Sequence, residues 1–230
     1  MIRTRFLPKL EDSFASALGT KAGWQVGLDP DDVDGQTVLS HYPAGIAGSG
    51  DPAARYLRPV VRLELGARGE QWPAERSTIA SYAAQAIPKP FKEPECTVPV
   101  LSAERTFWEK ATILHALFHS PADKPLRDRQ SRHYYDVVKL YEKGPGKKAL
   151  GDLSLLASVV KHKAVFFQSA AAKYDEAVPC TLRLVPPPSR KKELETDYAR
   201  MREMIFGVPP SFDDIIAALE DIERQVNKKS

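Results

Sequence analysis

Residues 102–142 read SAERTFWEKATILHALFH, then SPADKPLRDRQ, then SRHYYDVVKLYE. In the first run Phe107, Ala111, Leu114 and Phe118 recur at helical spacing, so one helix face is apolar. Ser102 stands at the expected N-cap, and Glu104 and Glu109 lie toward the positive end of the helix. Lys110 falls on the edge of the apolar stripe. A lysine there either snorkels its amine to water or holds a specific anion. The third run repeats the scheme, with Tyr134, Val137, Val138 and Tyr141 as the apolar stripe and Arg132, Asp136 and Lys139 on the other side. The run between them is a polar loop.

The same residues carry a family resemblance. ERTFWEKATILHALFH followed by RQSRHYYDVVKLY resembles the AbiEii/AbiGii-type nucleotidyltransferase toxins of bacterial abortive-infection and toxin–antitoxin systems. Those proteins have a lysine-bearing helix and then a helix with an R-D-x-Y-D-like core. The likeness extends upstream to YLRPVVRLELGAR (residues 56–68) and downstream to DYARMREMIFGVPPSFDDIIAAL (residues 197–219).

Composition sets outer bounds. The chain has 230 residues, 43% hydrophobic and 27% charged, which is the balance of an ordinary soluble globular protein. Net charge is +3, too mild to indicate nucleic-acid binding by itself. The distribution says more: residues 124–148 hold five more basic than acidic side chains, an excess above that of the whole chain. Such a local field attracts phosphate, and it is equally what a solvated face beside a loop looks like. Cys96 and Cys180 are far apart and in no metal spacing, which suits reduced thiols in the cytoplasm. No run of apolar residues is long enough for a membrane span, and the N-terminus lacks a signal-peptide core.

Along the chain, residues 5–19 predict a helix, and Trp24–Leu28 and Gln36–Tyr42 predict two short strands. Between the strands, DPDDVDG fails the calcium-loop pattern at Val33 and reads as a hairpin turn. Residues 43–54 read as a flexible connection; its Gly48-Ser49 is followed by no strand with paired acids and is a decoy. Leu57–Leu65 is the clearest strand, with Arg62 and Glu64 pointing the same way. Residues 73–86 predict a helix, PKPFKEPEC (residues 88–96) a linker between sheet and helical parts, and Val98–Leu101 a last strand. Helices are expected over 150–168 and 190–206, with an irregular stretch over 169–188 ending in a triple proline. A final helix is expected behind Ser211, with Asp214 three residues later. The expectation is an α+β fold: a partial nucleotidyltransferase-like sheet over residues 1–101, then a helical domain over 102–230.

The resemblance implies a chemistry. Nucleotidyl transfer joins a hydroxyl to the α-phosphate of a nucleoside triphosphate with the help of Mg²⁺, held by carboxylates. It implies Glu64 as the third metal carboxylate, Lys110 as the triphosphate lysine and Asp136 as the residue assisting the nucleophile. Arg127, Arg129, Arg132 and His133 are the implied substrate contacts. Read from spacing alone, Arg62–Glu64 is also a structural ion pair, and Asp136 between Arg132 and Lys139 is also a solvated helix face. The first aspartate of R-D-x-Y-D is His133 here, and the Gly-Gly-Thr/Ser turn with its D-x-D strand is missing. The expectation is therefore a toxin component that is inactive alone, is completed by a separate N-terminal polypeptide, or is an incomplete reading of a longer protein. It would transfer a nucleotide to tRNA, another RNA or a protein, under a cognate antitoxin. The alternative is a non-catalytic module binding RNA, a nucleotide or a partner. His115 and His119, four apart on one helix, lack a third zinc ligand and read as packing residues.

Overall fold

The computed structural model describes residues 1–18, 23–43, 59–66 and 72–228. The expectations for Gly48-Ser49 and for Leu57 lie outside them. The fold is α+β, with small antiparallel sheets and many helices. The chain divides into two units, Met1–Gly69 and Glu70–Ser230.

In the first unit, a short π-helical turn (Ile2–Phe6) leads into α1 (Leu7–Leu18). Three antiparallel strands follow: β1 (Gln25–Leu28), β2 (Thr37–His41) and β3 (Val60–Glu64), with β2 in the middle. The register sets Gln25 against His41 and Thr37 against Glu64. The central strand is the buried one, with Val38 fully enclosed. Helix α1 packs on β1, and Phe14 meets Trp24 with ring centroids 6.0 Å apart. The acidic cluster between β1 and β2 is a turn, as its sequence predicts. Asp32 accepts from the backbone N–H groups of Asp34 (3.0 Å) and Gln36 (2.8 Å), and Gly35 takes φ +61°.

The second unit opens with a hairpin, β4 (Ala74–Ala80) and β5 (Glu95–Leu101), paired from Ala74–Leu101 to Ala80–Glu95. The helix expected over 73–86 is thus half strand. Ser77, Thr78 and Ile79 take an extended ladder against Val98, Thr97 and Cys96, which suits the β-branched side chains of Thr78 and Ile79. Only α2 (Tyr82–Ala86) is helical, and it starts at Ser81, whose side chain accepts from the Ala84 N–H at 3.0 Å. The proline-rich run after it joins α2 to β5 inside one unit instead of linking a sheet part to a helical part.

Helix α3 (Ala103–Phe118) follows, capped by Ser102, which accepts from the Arg105 N–H at 3.1 Å. Helices α4 (Ser131–Glu142), α5 (Pro145–Ala149) and α6 (Leu153–Phe166) all pack on α3. Short 3₁₀ turns at Ala170–Ala172 and Tyr174–Glu176 also reach it. Helices α7 (Pro188–Met201) and α8 (Phe212–Asn227) pack on α4. The triple proline was expected to stop a helix; Pro188 instead starts α7, where a missing N–H costs nothing. Ser211 and Asp214 form the reciprocal capping box at the head of α8 that the sequence predicts.

Helix α3 is buried on more than the expected stripe. Phe107, Ala111 and Leu114 are fully enclosed, but so are Arg105, Trp108, Thr112 and His115. A helix surrounded by neighbours has no solvent face to give its polar residues. Its closest approach is at α5. A methyl group on Gly146 would lie 2.6 Å from the Tyr141 Cα and 2.9 Å from two carbons of the Phe107 ring.

That contact makes a stability prediction. Gly146→Ala should destabilise the protein by about 1–3 kcal/mol through overpacking, read as a lowered midpoint in denaturant. Gly27→Ala, with no atom within 4 Å of the added methyl, should change the midpoint little.

Candidate functional site

The site grows out of the α3–α4 contact. Lys110 on α3 donates to the Asp136 carboxylate on α4 at 2.8 Å, and its Nζ is 3.3 Å from Nδ1 of His133. Asp136 therefore faces α3 and not the solvated side of α4 that the spacing suggested. Lys110 is 25% exposed and Asp136 34%. An ammonium group has three N–H donors, so two are engaged and one is left for an anion.

His133 is buried beneath them. Burial, then the charges of Lys110 and Arg132, push its pKa down to about 3. The ring is thus neutral at working pH. Accepting from Lys110 at Nδ1 places its proton on Nε2. His133 acts here as an uncharged prop for the lysine.

A cavity of about 380 Å³ adjoins this cluster, with His133 in its wall. Lys163 of α6 lines it too, with Nζ 4.7 Å from the centroid of the Phe167 ring. Burial, with the charge of Lys110 adding to it, lowers the Lys163 pKa from its ordinary value, and Glu109 opposes the shift. The sequence reading passed over Lys163. It stands four residues after Val159 and seven after Leu156, both buried, so its spacing already placed it on the inner face of α6.

The three arginines are all exposed; the charge of Arg132 acts on His133, while Arg127 lines a separate hollow with Glu193, Asp197 and Arg200. Arg132 is in the first turn of α4, and Arg127 and Arg129 are in the loop before it. That loop is clamped by α7. Asp197 accepts from the N–H of Arg129 (2.7 Å), the N–H of Ser131 (2.8 Å) and the Ser131 hydroxyl (2.6 Å). Gln130, at the N-cap of α4, makes no side-chain cap bond, so Asp197 supplies the cap and the favourable charge from another helix. Glu193 accepts from the Leu126 N–H at 2.9 Å, and the buried Arg190 donates to the carbonyls of Pro121 and Lys124.

Glu64 belongs to the first unit. Arg62 donates from Nε to Glu64 Oε1 at 2.9 Å and reaches the buried carboxylate of Asp29, also at 2.9 Å. The structure therefore brings Lys110, His133 and Asp136 together with Arg132 near them, leaves Arg127 and Arg129 on the preceding loop, and pairs Glu64 with an arginine. Among the described residues, no group of three His, Cys, Asp or Glu side chains is placed to hold a metal ion. His115 is a packing residue: Nε2 donates to the Lys173 carbonyl at 3.1 Å and Nδ1 accepts from the Arg183 N–H at 3.0 Å. Among the described residues, no helix is long and apolar enough to cross a membrane.

Two predictions follow from these contacts. His133 has a folded pKa below its unfolded one, so its contribution to stability is full above about pH 6.5 and is lost as pH falls toward 3. His133→Gln should flatten the stability loss between pH 6.5 and 4 relative to wild type, measured by urea denaturation. Asp197→Ala should free the loop, seen as faster trypsin cleavage after Arg127 and Arg129 in the native protein, with a stability loss of about 1–3 kcal/mol.

No curated protein and no solved structure matched the chain. The family model described as "Nucleotidyl transferase AbiEii toxin, Type IV TA system" matches residues 3–218, a span that includes both helices of the Lys110–Asp136 pair. The chain belongs to the AbiEii nucleotidyltransferase toxin family.

Proposed function

We propose that this chain is the nucleotide-handling component of a type IV toxin–antitoxin system, moving a nucleotide from a nucleoside triphosphate to an RNA or protein hydroxyl. One observation carries the reading: Lys110 is fixed by Asp136 and His133 yet keeps a donor and a quarter of its surface open. In this reading the third N–H of Lys110 binds a triphosphate oxygen. The acceptor hydroxyl attacks the α-phosphorus, the bond to pyrophosphate breaks, and Asp136 takes the hydroxyl proton. A lysine already held by two partners loses no rotamer freedom when the anion arrives. Arg127, Arg129 and Arg132 guide the polyanion, and an RNA acceptor such as tRNA suits them best. Family membership implies a cognate antitoxin as partner.

The Mg²⁺ that such transfer employs is not fitted by the described residues. Magnesium needs several oxygen ligands converging without a competing cation. Glu64 would have to give up Arg62 to become one. That pairing also favours the second reading, a binding module that holds nucleotide or RNA without turning it over. A separate N-terminal polypeptide carrying paired carboxylates would restore the first reading in full.

The test uses α-labelled nucleoside triphosphates, one at a time, with total tRNA and with protein extract. Label should enter RNA or protein. Lys110→Ala should lower transfer about a hundredfold or more, and Asp136→Asn should do so while leaving triphosphate binding in place. Binding of triphosphate with no transfer, alone and with any upstream-encoded polypeptide added, would sink the enzyme reading and leave the binding module.

A further inference from the structure

Lys163 has no role in the chemistry above, and its surroundings are unusual for a lysine. Among the described residues its ammonium has no hydrogen bond and no ion pair; it stands over the face of Phe167, within the field of the Glu109 carboxylate. The cavity it lines has apolar walls that include Ile113, Leu117 and Phe167, with Ser120, Gln130 and Tyr174 at the same hollow. A half-buried cation without a protein acceptor keeps its donors for a ligand that brings one. A phosphate is a poor match, because the apolar walls would strip its hydration. A flat heteroaromatic ring with a carbonyl edge meets both demands: its faces suit Phe167 and the aliphatic walls, and its oxygen accepts from Lys163. The volume, about 380 Å³, lies in the range of small-molecule pockets. His133 is common to the cavity wall and to the Lys110 contact, so the two halves of one nucleotide have adjoining seats.

We propose that this cavity seats the nucleobase of the triphosphate and that Lys163 selects a carbonyl-bearing base (uracil, cytosine or guanine) over adenine. The assignment rests on the reading that Lys110 holds the triphosphate. Lysine only donates; adenine's acceptors are ring nitrogens recessed in the ring edge, and the group that projects from that edge is an amino donor that opposes the ammonium. A donor that meets an amino group in place of a carbonyl oxygen loses its bond, and that loss gives the site its discrimination.

The test measures binding of UTP, CTP, GTP and ATP by calorimetry, and separately the acylation of Lys163 by an amine-reactive ester, read by mass spectrometry with and without uridine. In the wild-type chain the three carbonyl-bearing triphosphates should bind at least about tenfold tighter than ATP, and uridine alone should shield Lys163. Lys163→Met should bring the ratio to about one, and Leu117→Trp, which fills the cavity, should do the same. Lys110→Ala should weaken all four alike and keep the ratio. If affinity depends on Lys110 but neither Lys163→Met nor Leu117→Trp alters the ranking, the base site is overturned and the triphosphate reading survives. If no triphosphate binds yet uridine still shields Lys163, the base site stands and the triphosphate reading falls. Absence of both signals overturns both.

Discussion

Helix α3 is packed by α4, α5, α6 and the 3₁₀ turns beyond α6, so its buried polar side chains Arg105, Thr112 and His115 must find their partners inside the protein. Arg105 does so through Glu109 at 3.1 Å and the Trp72 carbonyl at 2.8 Å. Thr112 donates to the Glu109 carbonyl, and His115 is pinned at both ring nitrogens by backbone groups. Leaving any of these unpaired would cost as much as a lost buried hydrogen bond, or more for the arginine. The same demand, applied to Lys110, draws Asp136 and His133 toward it from α4. The arrangement that organises the core is therefore also the one that prepares a cation for a ligand.

The three lysine and histidine environments around that helix differ in a way that sorts their roles. Lys110 is paired and partly open; Lys163 is half-buried and, among the described residues, lacks an acceptor; His133 is buried and neutral. Placed close together, a second cation and a protonated imidazole would repel Lys110. Keeping His133 uncharged removes one of those repulsions, and seating Lys163 against an aromatic face moderates the other. What results is one strong cationic donor at the surface and one donor facing an apolar hollow.

Much of this was legible in the sequence, and the exceptions have physical causes. The apolar spacing of Phe107, Ala111 and Leu114 and the caps at Ser102 and Ser211 are local signals, and the helices they predict are present. Spacing left Asp136 open between a site residue and a solvated face, because a helical wheel shows which residues share a face but not which neighbour covers that face. The strand over Ala74–Ala80 was missed because Ile79, Tyr82 and Ala86 happen to fit a helical period, while the pairing that decides the matter comes from β5. Glu64 and Arg62 were correctly seen as neighbours, but Asp29, the other partner of Arg62, sits more than thirty residues away in a turn that looked self-contained. The resemblance singled out Lys110 from one helix; only the packing of a second helix explains why its ammonium is fixed.

The loop of residues 120–130 holds no regular structure of its own, and its course is dictated by three side chains of α7: Arg190, Glu193 and Asp197. Those side chains come more than sixty residues later, and only Asp197, the first residue of the stretch 197–219, falls within the sequence that carries the family resemblance. A graft of residues 102–142 onto another scaffold would carry every arginine and none of the carboxylates that aim them.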